Sequence, residues 1–206
     1  MDKLEDMSQS ISRLVLASSS PRRKELVASL NHSLPVIIFS TDVDELVDTS
    51  WKPAEIVEQL SLRKARAAIE RMEEDSVSLV LGADTIVVLD GEVLGKPKDE
   101  ADAKSMLLRL QGRTHEVYSG VALIRSSDGY ELSAHRVTKV QMKSLSEDQI
   151  NRYVATGEPN DKAGAYGIQG LGATIVERIE GCYFNVVGLP LSLLADMLAQ
   201  FEIQIF

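Results

Sequence analysis

Near the start of the chain, Ser18-Ser19-Ser20-Pro21-Arg22-Arg23 combines hydroxyls, a helix-starting proline and two adjacent cations. The apolar run Leu14 to Ala17 precedes it, so the stretch reads as a strand feeding a helix N-terminus, with Ser20 at the N-cap and Pro21 at the first helical position. Such a junction offers backbone N–H groups and the positive end of the helix dipole, and the hydroxyls and guanidinium groups add charge-assisted donors. Cations in a first helical turn oppose the dipole, so Arg22 and Arg23 are poor stability devices unless an anion resolves the conflict. The plainer alternative is a solvated basic first turn.

A second candidate is Asp84, which interrupts the apolar runs Val77 to Ala83 and Thr85 to Leu89. A carboxylate there is costly to bury unless it is paired, hydrogen-bonded or bound to a metal. The alternative is an aspartate capping a strand end through a backbone bond. Gly91 to Lys96 is not a Walker loop: three residues separate its glycines where four are needed, and Pro97 stands where Ser or Thr must hold magnesium. Lys96 is nonetheless fixed between a tight turn and Pro97.

The third candidate runs from Gly157 to Gly172 and holds Glu158, Asp161, Lys162, Tyr166 and Gln169 among Gly164, Gly167, Gly170 and Gly172. The glycines do not follow the dinucleotide order G-x-G-x-x-G, so a Rossmann reading fails. Close approach of backbone to a ligand and an ordinary irregular loop both fit. Cys182 has no histidine nearby in sequence and reads as buried or inert rather than nucleophilic. Neither G-x-S-x-G nor H-E-x-x-H is present.

These residues need elements to position them. Val36 to Phe39 reads as a second strand, followed by an acidic stretch with Asp42, Asp44, Glu45 and Asp48. Pro53 to about Met72 reads as a helix with Lys64 about midway. Thr85 to Leu89 and Glu92 to Leu94 form a hairpin about Asp90-Gly91, and Asp99 to Leu110 a helix closed by Gly112. His115 to Arg125 and Tyr130 to Lys143 make a long hairpin around Ser127-Asp128-Gly129. Ser146 to Thr156 is a helix with the capping-box pair Ser146 and Gln149 and a stop at Gly157. Thr174 to Ile179 reads as a strand and Pro190 to about Phe201 as a last helix. Alternating strands and helices imply an α/β fold on a mixed sheet.

The chain has 206 residues, enough for one domain burying roughly 70% of its unfolded surface. Residues 1–13 read as a polar tail and 14–206 as that single domain. With 22 Lys+Arg against 31 Asp+Glu, the net charge of −9 gives no field to attract a nucleic acid polymer or an anionic membrane. A polyanion it binds must be small and held by a local basic pocket. One cysteine and three histidines supply neither a disulfide nor zinc-ligand spacing. A cytoplasmic setting is expected, since no signal peptide or membrane-length apolar run is read.

In this order, Leu16-Ala17-Ser18-Ser19-Ser20-Pro21-Arg22-Arg23, Lys64-Ala65-Arg66, Gly82-Ala83-Asp84-Thr85, Gly95-Lys96-Pro97, Gly157-Glu158-Pro159 and Asp161 through Gly170 resemble the Maf family of nucleotide pyrophosphatases, within the broader ITPase-like group. The likeness runs from about Leu14 to Leu194. It implies an elongated fold with a central mixed β-sheet flanked by helices and a cleft between two lobes. It also implies hydrolysis of a nucleoside triphosphate to monophosphate and pyrophosphate with a divalent cation, Mg2+ or Mn2+, and a homodimer as the common assembly.

Arg22, Thr85 and Gln169 match the family type acting on dTTP and UTP. The 7-methyl-GTP type tends to have Trp after the proline and Glu near Gln169. The extended acidic N-terminus and Ser19 depart from the pattern without touching the implied chemistry. By the resemblance, Ser18, Arg23, Lys64 and Lys96 hold phosphate oxygens and Lys162 lines the pocket. Asp84 activates water, and Glu45 with Asp84 holds the metal. Asp84 as base, as metal ligand or as both is compatible with the residues. Gln169 has the amide donor and acceptor to read a pyrimidine edge. The rival reading is a nucleotide-binding regulator of cell division without turnover.

Overall fold

The computed structural model describes residues 10–206 apart from 31, 32, 41, 42, 45, 49, 74 and 75. It is a mixed α/β protein built on a seven-stranded sheet. The strands are β1 (Arg13–Ala17), β2 (Val36–Ile38), β3 (Ser78–Leu89), β4 (Glu92–Leu94), β5 (Thr114–Arg125), β6 (Glu131–Met142) and β7 (Val176–Glu180). Their order is β2-β1-β3-β5-β6-β7, with β4 pairing off β3. β1 runs parallel to β2 and β3, whereas β3–β4 and β6–β7 are antiparallel. The helices are α1 (Pro21–Ala28), α2 (Pro53–Ile69), α3 (Glu100–Leu110), α4 (Glu147–Val154), α5 (Tyr183–Val187) and α6 (Leu191–Ala199).

Two compact units divide the described chain. One holds the residues up to Asp84 with Gly120–His135 and Leu191–Phe206; the other holds Thr85–Ser119 and Arg136–Pro190. In the first, Val15, Ala17 and Val80 of the parallel strands pack with Leu62, Ala65 and Ala68 of α2. That helix lies very close to the sheet. A Cβ on Gly82 of β3 would lie 2.0 Å from the Ser61 carbonyl oxygen, and one on Gly120 of β5 2.2 Å from that of Val57. Both positions admit no side chain at all.

In the second unit, Leu107 and Leu110 of α3, Ile150 and Tyr153 of α4, and Val117 and Met142 of the sheet form one core. Short-range signals in the sequence are realised here. Asp90 and Gly91 both have positive φ (53° and 81°), as the β3–β4 hairpin turn demands. Asp99 caps α3 by accepting from the Asp102 N–H, and Ser146 and Gln149 form the expected capping box on α4.

Two strand readings are corrected. Asp84 does not break the apolar runs, because β3 continues through it from Ser78 to Leu89. Ser20 occupies the N-cap of α1 and Pro21 its first position as read, although Ser20 makes no side-chain cap bond and its own N–H donates to Ser18 Oγ at 3.2 Å. The strand expected from Thr174 begins at Val176, because Gly170–Thr174 forms a 3-10 turn, and α5 precedes α6 where no helix is read in the sequence.

His115 is buried against Tyr166 of this second core. Its Nε2 is 2.7 Å from the Tyr166 hydroxyl, and its Nδ1 is buried without a hydrogen-bond partner among the described residues. Burial lowers its pKa to about 4.

Two outcomes follow from this packing. Gly82→Ala should destabilise the protein by roughly 1–3 kcal/mol or more, because α2 must move off the sheet, and chemical unfolding would measure the loss. His115 takes its proton near pH 6.5 when unfolded but only near 4 when folded. Stability should therefore be full above about pH 6.5 and fall, on the order of 3 kcal/mol, as pH drops toward 4. Urea unfolding of the wild type and His115→Gln across that range should show a shallower slope in the variant; equal slopes would remove His115 as the cause.

Candidate active site

Gly82 faces α2, and strand side chains alternate with a period of two, so Asp84 leaves β3 on the helix side. Lys64 stands in the helix next to Ala65, whose N–H lies against Gly82. The consequence is a direct ion pair, Lys64 Nζ to Asp84 Oδ1 at 2.5 Å, with side-chain exposures of 13% and 9%. Both groups are largely withdrawn from water, which makes the pair strong only while both members are present. The third residue of the Lys64-Ala65-Arg66 stretch is different: Arg66 forms a bidentate, half-exposed pair with Glu131, of the kind that contributes little.

Ser18 follows β1 and is buried, its hydroxyl accepting the Ser20 N–H. Arg22 and Arg23 occupy the first turn of α1, which contains no acidic residue. Ser18, Arg22, Arg23, Lys64 and Asp84 thus belong to the first unit, and the structure joins Lys64 to Asp84 directly. Glu45 lies outside the described residues.

Thr85, Lys96, Lys162 and Gln169 belong to the second unit. Thr85 Oγ1 is 2.8 Å from Ser119 Oγ, which donates to the Asn185 carbonyl; Asn185 in turn donates from Nδ2 to the Val117 carbonyl and Thr138 Oγ1. Thr85 is thereby held by a buried polar chain that the sequence reading missed. Lys96 is exposed, and its neighbour Gly95 accepts the Gly164 N–H at 3.0 Å, tying the Lys96 turn to the glycine-rich segment. Gly164 has φ 69°, and a Cβ there would lie 2.9 Å from a Val87 methyl.

Lys162 Nζ donates to the Glu158 carbonyl at 2.5 Å and to Asp161 Oδ1 at 2.7 Å. Glu158 Oε1 accepts from Tyr153 Oη at 2.9 Å and the Gly172 N–H at 2.8 Å, and Oε2 accepts the Leu171 N–H at 2.9 Å. Partial burial pushes the Glu158 carboxyl up, but these donors outweigh it and hold it below its usual range. Burial also pushes the Tyr153 hydroxyl up. Cys182 is half-buried, its backbone N–H and carbonyl both bonded to Thr138 Oγ1, a structural setting.

The Maf-like protein family matches residues 13–201, nearly the whole chain. The protein belongs to the Maf family. Among its relatives, a dTTP/UTP pyrophosphatase of Symbiobacterium thermophilum is 54% identical over 94% of this chain and 96% of its own length. One of Moorella thermoacetica is 53% identical over 95% and 98%, and one of Pelotomaculum thermopropionicum 53% identical over 91% and 96%. The fold of this Maf protein agrees with the resemblance: a central mixed sheet flanked by helices. No helix among the described residues is long and apolar enough to cross a membrane.

The ion pair generates its own test. Lys64→Ala should cost roughly 3–5 kcal/mol by leaving Asp84 buried without its partner. Asp84→Asn in the same background should recover part of that loss, a coupling that a double-mutant unfolding cycle would read. Strict additivity of the two changes would show that the pair carries no energy.

Proposed function

We propose that this protein hydrolyses dTTP and UTP to the nucleoside monophosphate and pyrophosphate. What carries the reading is the buried Lys64–Asp84 pair, a base and a cation 2.5 Å apart, in a chain about half identical to proteins named for that activity. A triphosphate brings close to four negative charges at neutral pH, which an acidic protein must meet with local cations. In the proposed reaction water attacks the α-phosphorus and its proton passes to the Asp84 carboxylate. The bond from that phosphorus to the α–β bridging oxygen breaks, and pyrophosphate leaves with the electron pair. Ser18, Arg23, Lys64 and Lys96 are assigned to phosphate oxygens, with the N-terminus of α1 assisting and Lys162 as a further pocket residue. Arg22, Thr85 and Gln169 are assigned to base selection.

A divalent cation belongs to the proposal. Among the described residues no group of three or more His, Cys, Asp or Glu side chains could hold a metal ion by itself. Asp84 offers a hard carboxylate, a donor that suits Mg2+ or Mn2+ held by one or two carboxylates together with substrate phosphates. Asp84, with Glu45 as its assigned partner, would hold the ion, which when bound supplies neutralisation of the phosphate charge. The proposed assembly is a homodimer and the proposed setting the cytoplasm, supported by the family resemblance and the lone cysteine.

Purified protein assayed on dTTP, UTP, CTP and 7-methyl-GTP, with pyrophosphate detected directly, tests the reading. Uracil and thymine differ by one methyl, so, for nucleotides of the same sugar, catalytic efficiencies on the two bases should lie within roughly 10- to 200-fold. CTP lacks the ring N–H and one carbonyl, and should be turned over less well because it leaves polar groups unpaired. Asp84→Asn should fold yet lose turnover on the order of 10² or more. A best rate on 7-methyl-GTP would overturn the base assignment, and no pyrophosphate from any nucleotide would leave a binding protein without turnover.

A further inference from the structure

The segment Gly167 to Gly172, within the second unit, closes on itself through a narrow neck. Gly172 lies so close to Gly167 that a Cβ on it would sit 2.0 Å from the Gly167 carbonyl oxygen. Tyr153 Oη accepts the Gly167 N–H at 3.3 Å on one side of the neck and donates to Glu158 Oε1 at 2.9 Å. On the other side Glu158 accepts the N–H groups of Leu171 and Gly172 at 2.9 and 2.8 Å. Gln169 lies between the two sides, in extended conformation (φ −93°, ψ 169°), just before the φ 64° turn at Gly170. A Cβ on Gly170 would lie 2.7 Å from Glu158 Oε2, so the turn folds directly over the carboxylate. The carbonyl of the same glutamate accepts from Lys162 Nζ.

We infer that Glu158 is the positioning residue that closes this loop and thereby fixes the base selectivity assigned to Gln169. The inference rests on the reading of Gln169 given above. Glu158 suits the role because an ionised carboxylate only accepts, and three donors converge on it. Gln in its place would turn an amide NH2 toward one of these donors, and Asp would fall one methylene short of the loop. An open neck frees the Gln169 amide to sample orientations in which it no longer distinguishes a uracil-type edge from cytosine. Phosphate handling is assigned largely to other residues, so the loss should appear in base preference and KM before kcat.

The experiment compares full-length wild type, Glu158→Gln and Tyr153→Phe by amide hydrogen exchange and by kinetics on dTTP and CTP. Glu158→Gln should raise exchange at Leu171 and Gly172 by about tenfold or more without a matching rise in the strands, as expected for loss of bonds to a charged acceptor. The dTTP-over-CTP ratio of kcat/KM should fall by a similar factor, through KM for dTTP. Tyr153→Phe, which removes one of the three donors and keeps the ring, should move both readouts in the same direction by less. If Glu158→Gln melts far below wild type, Tyr153→Phe carries the comparison, and an unchanged ratio in it overturns the inference. Retained discrimination with the two amides deprotected also overturns it, as does unchanged protection. A wild type with no preference for dTTP over CTP would instead overturn the base reading itself, and the inference with it.

Discussion

The backbone of α2 touches the backbone of the sheet, and this approach sets the geometry around Asp84. Glycine at 82 and 120 removes the two side chains that would otherwise hold helix and strands apart, since each Cβ would overlap a carbonyl oxygen. With that spacing, the next inward position on β3 after Gly82 belongs to Asp84, and the helix presents Lys64 to it. Had the helix stood off by the width of a methyl group, water would reach the carboxylate and the pair would become one more surface salt bridge. Burial converts an unremarkable lysine and aspartate into a coupled charge pair whose members depend on each other.

Local signals in the sequence translated well where the physics is local. The Asp90-Gly91 turn needs two residues of positive φ and the Ser146 cap one side-chain bond, and both were legible. Asp84 was legible as a costly residue but not as a strand residue. The group that lets β3 pass through it is Lys64, on a different element, and no periodicity in the strand encodes that partner. The same limit explains Ser119, Asn185 and Glu158. Each acts through bonds to residues distant in sequence or to backbone N–H groups, which composition does not reveal. Ser20 shows the converse: N-cap and proline were correctly placed, yet its neighbour Ser18 supplied the hydroxyl that its own backbone uses.

Charge is distributed unevenly in this acidic chain. Arg66, Arg109, Arg113 and Arg125 each meet a carboxylate at the surface, at side-chain exposures of 33% or more. Such pairs are screened by salt and contribute little, so they keep the surface balanced rather than hold the fold. A net charge of −9 would repel a free triphosphate at long range, and uptake must therefore depend on short-range donors rather than on steering. That places the demand on a few cations near the site and on hydrogen bonds of fixed geometry.

Two carboxylates, the buried Asp84 and the half-buried Glu158, are held to different ends. Glu158 is satisfied by the Tyr153 hydroxyl of α4 and by two backbone N–H groups that are fixed in the loop. Three donors occupy most of its roughly four acceptor sites, so its oxygens are committed chiefly to structure. Asp84 is satisfied by an ammonium on a flexible four-carbon stem, a partner able to turn toward a phosphate oxygen while staying in the same helix. A base has to exchange partners during turnover, and only a mobile counter-ion permits that without rearranging the backbone. On the nature of what each one holds, Asp84 suits the chemistry proposed for it and Glu158 suits architecture.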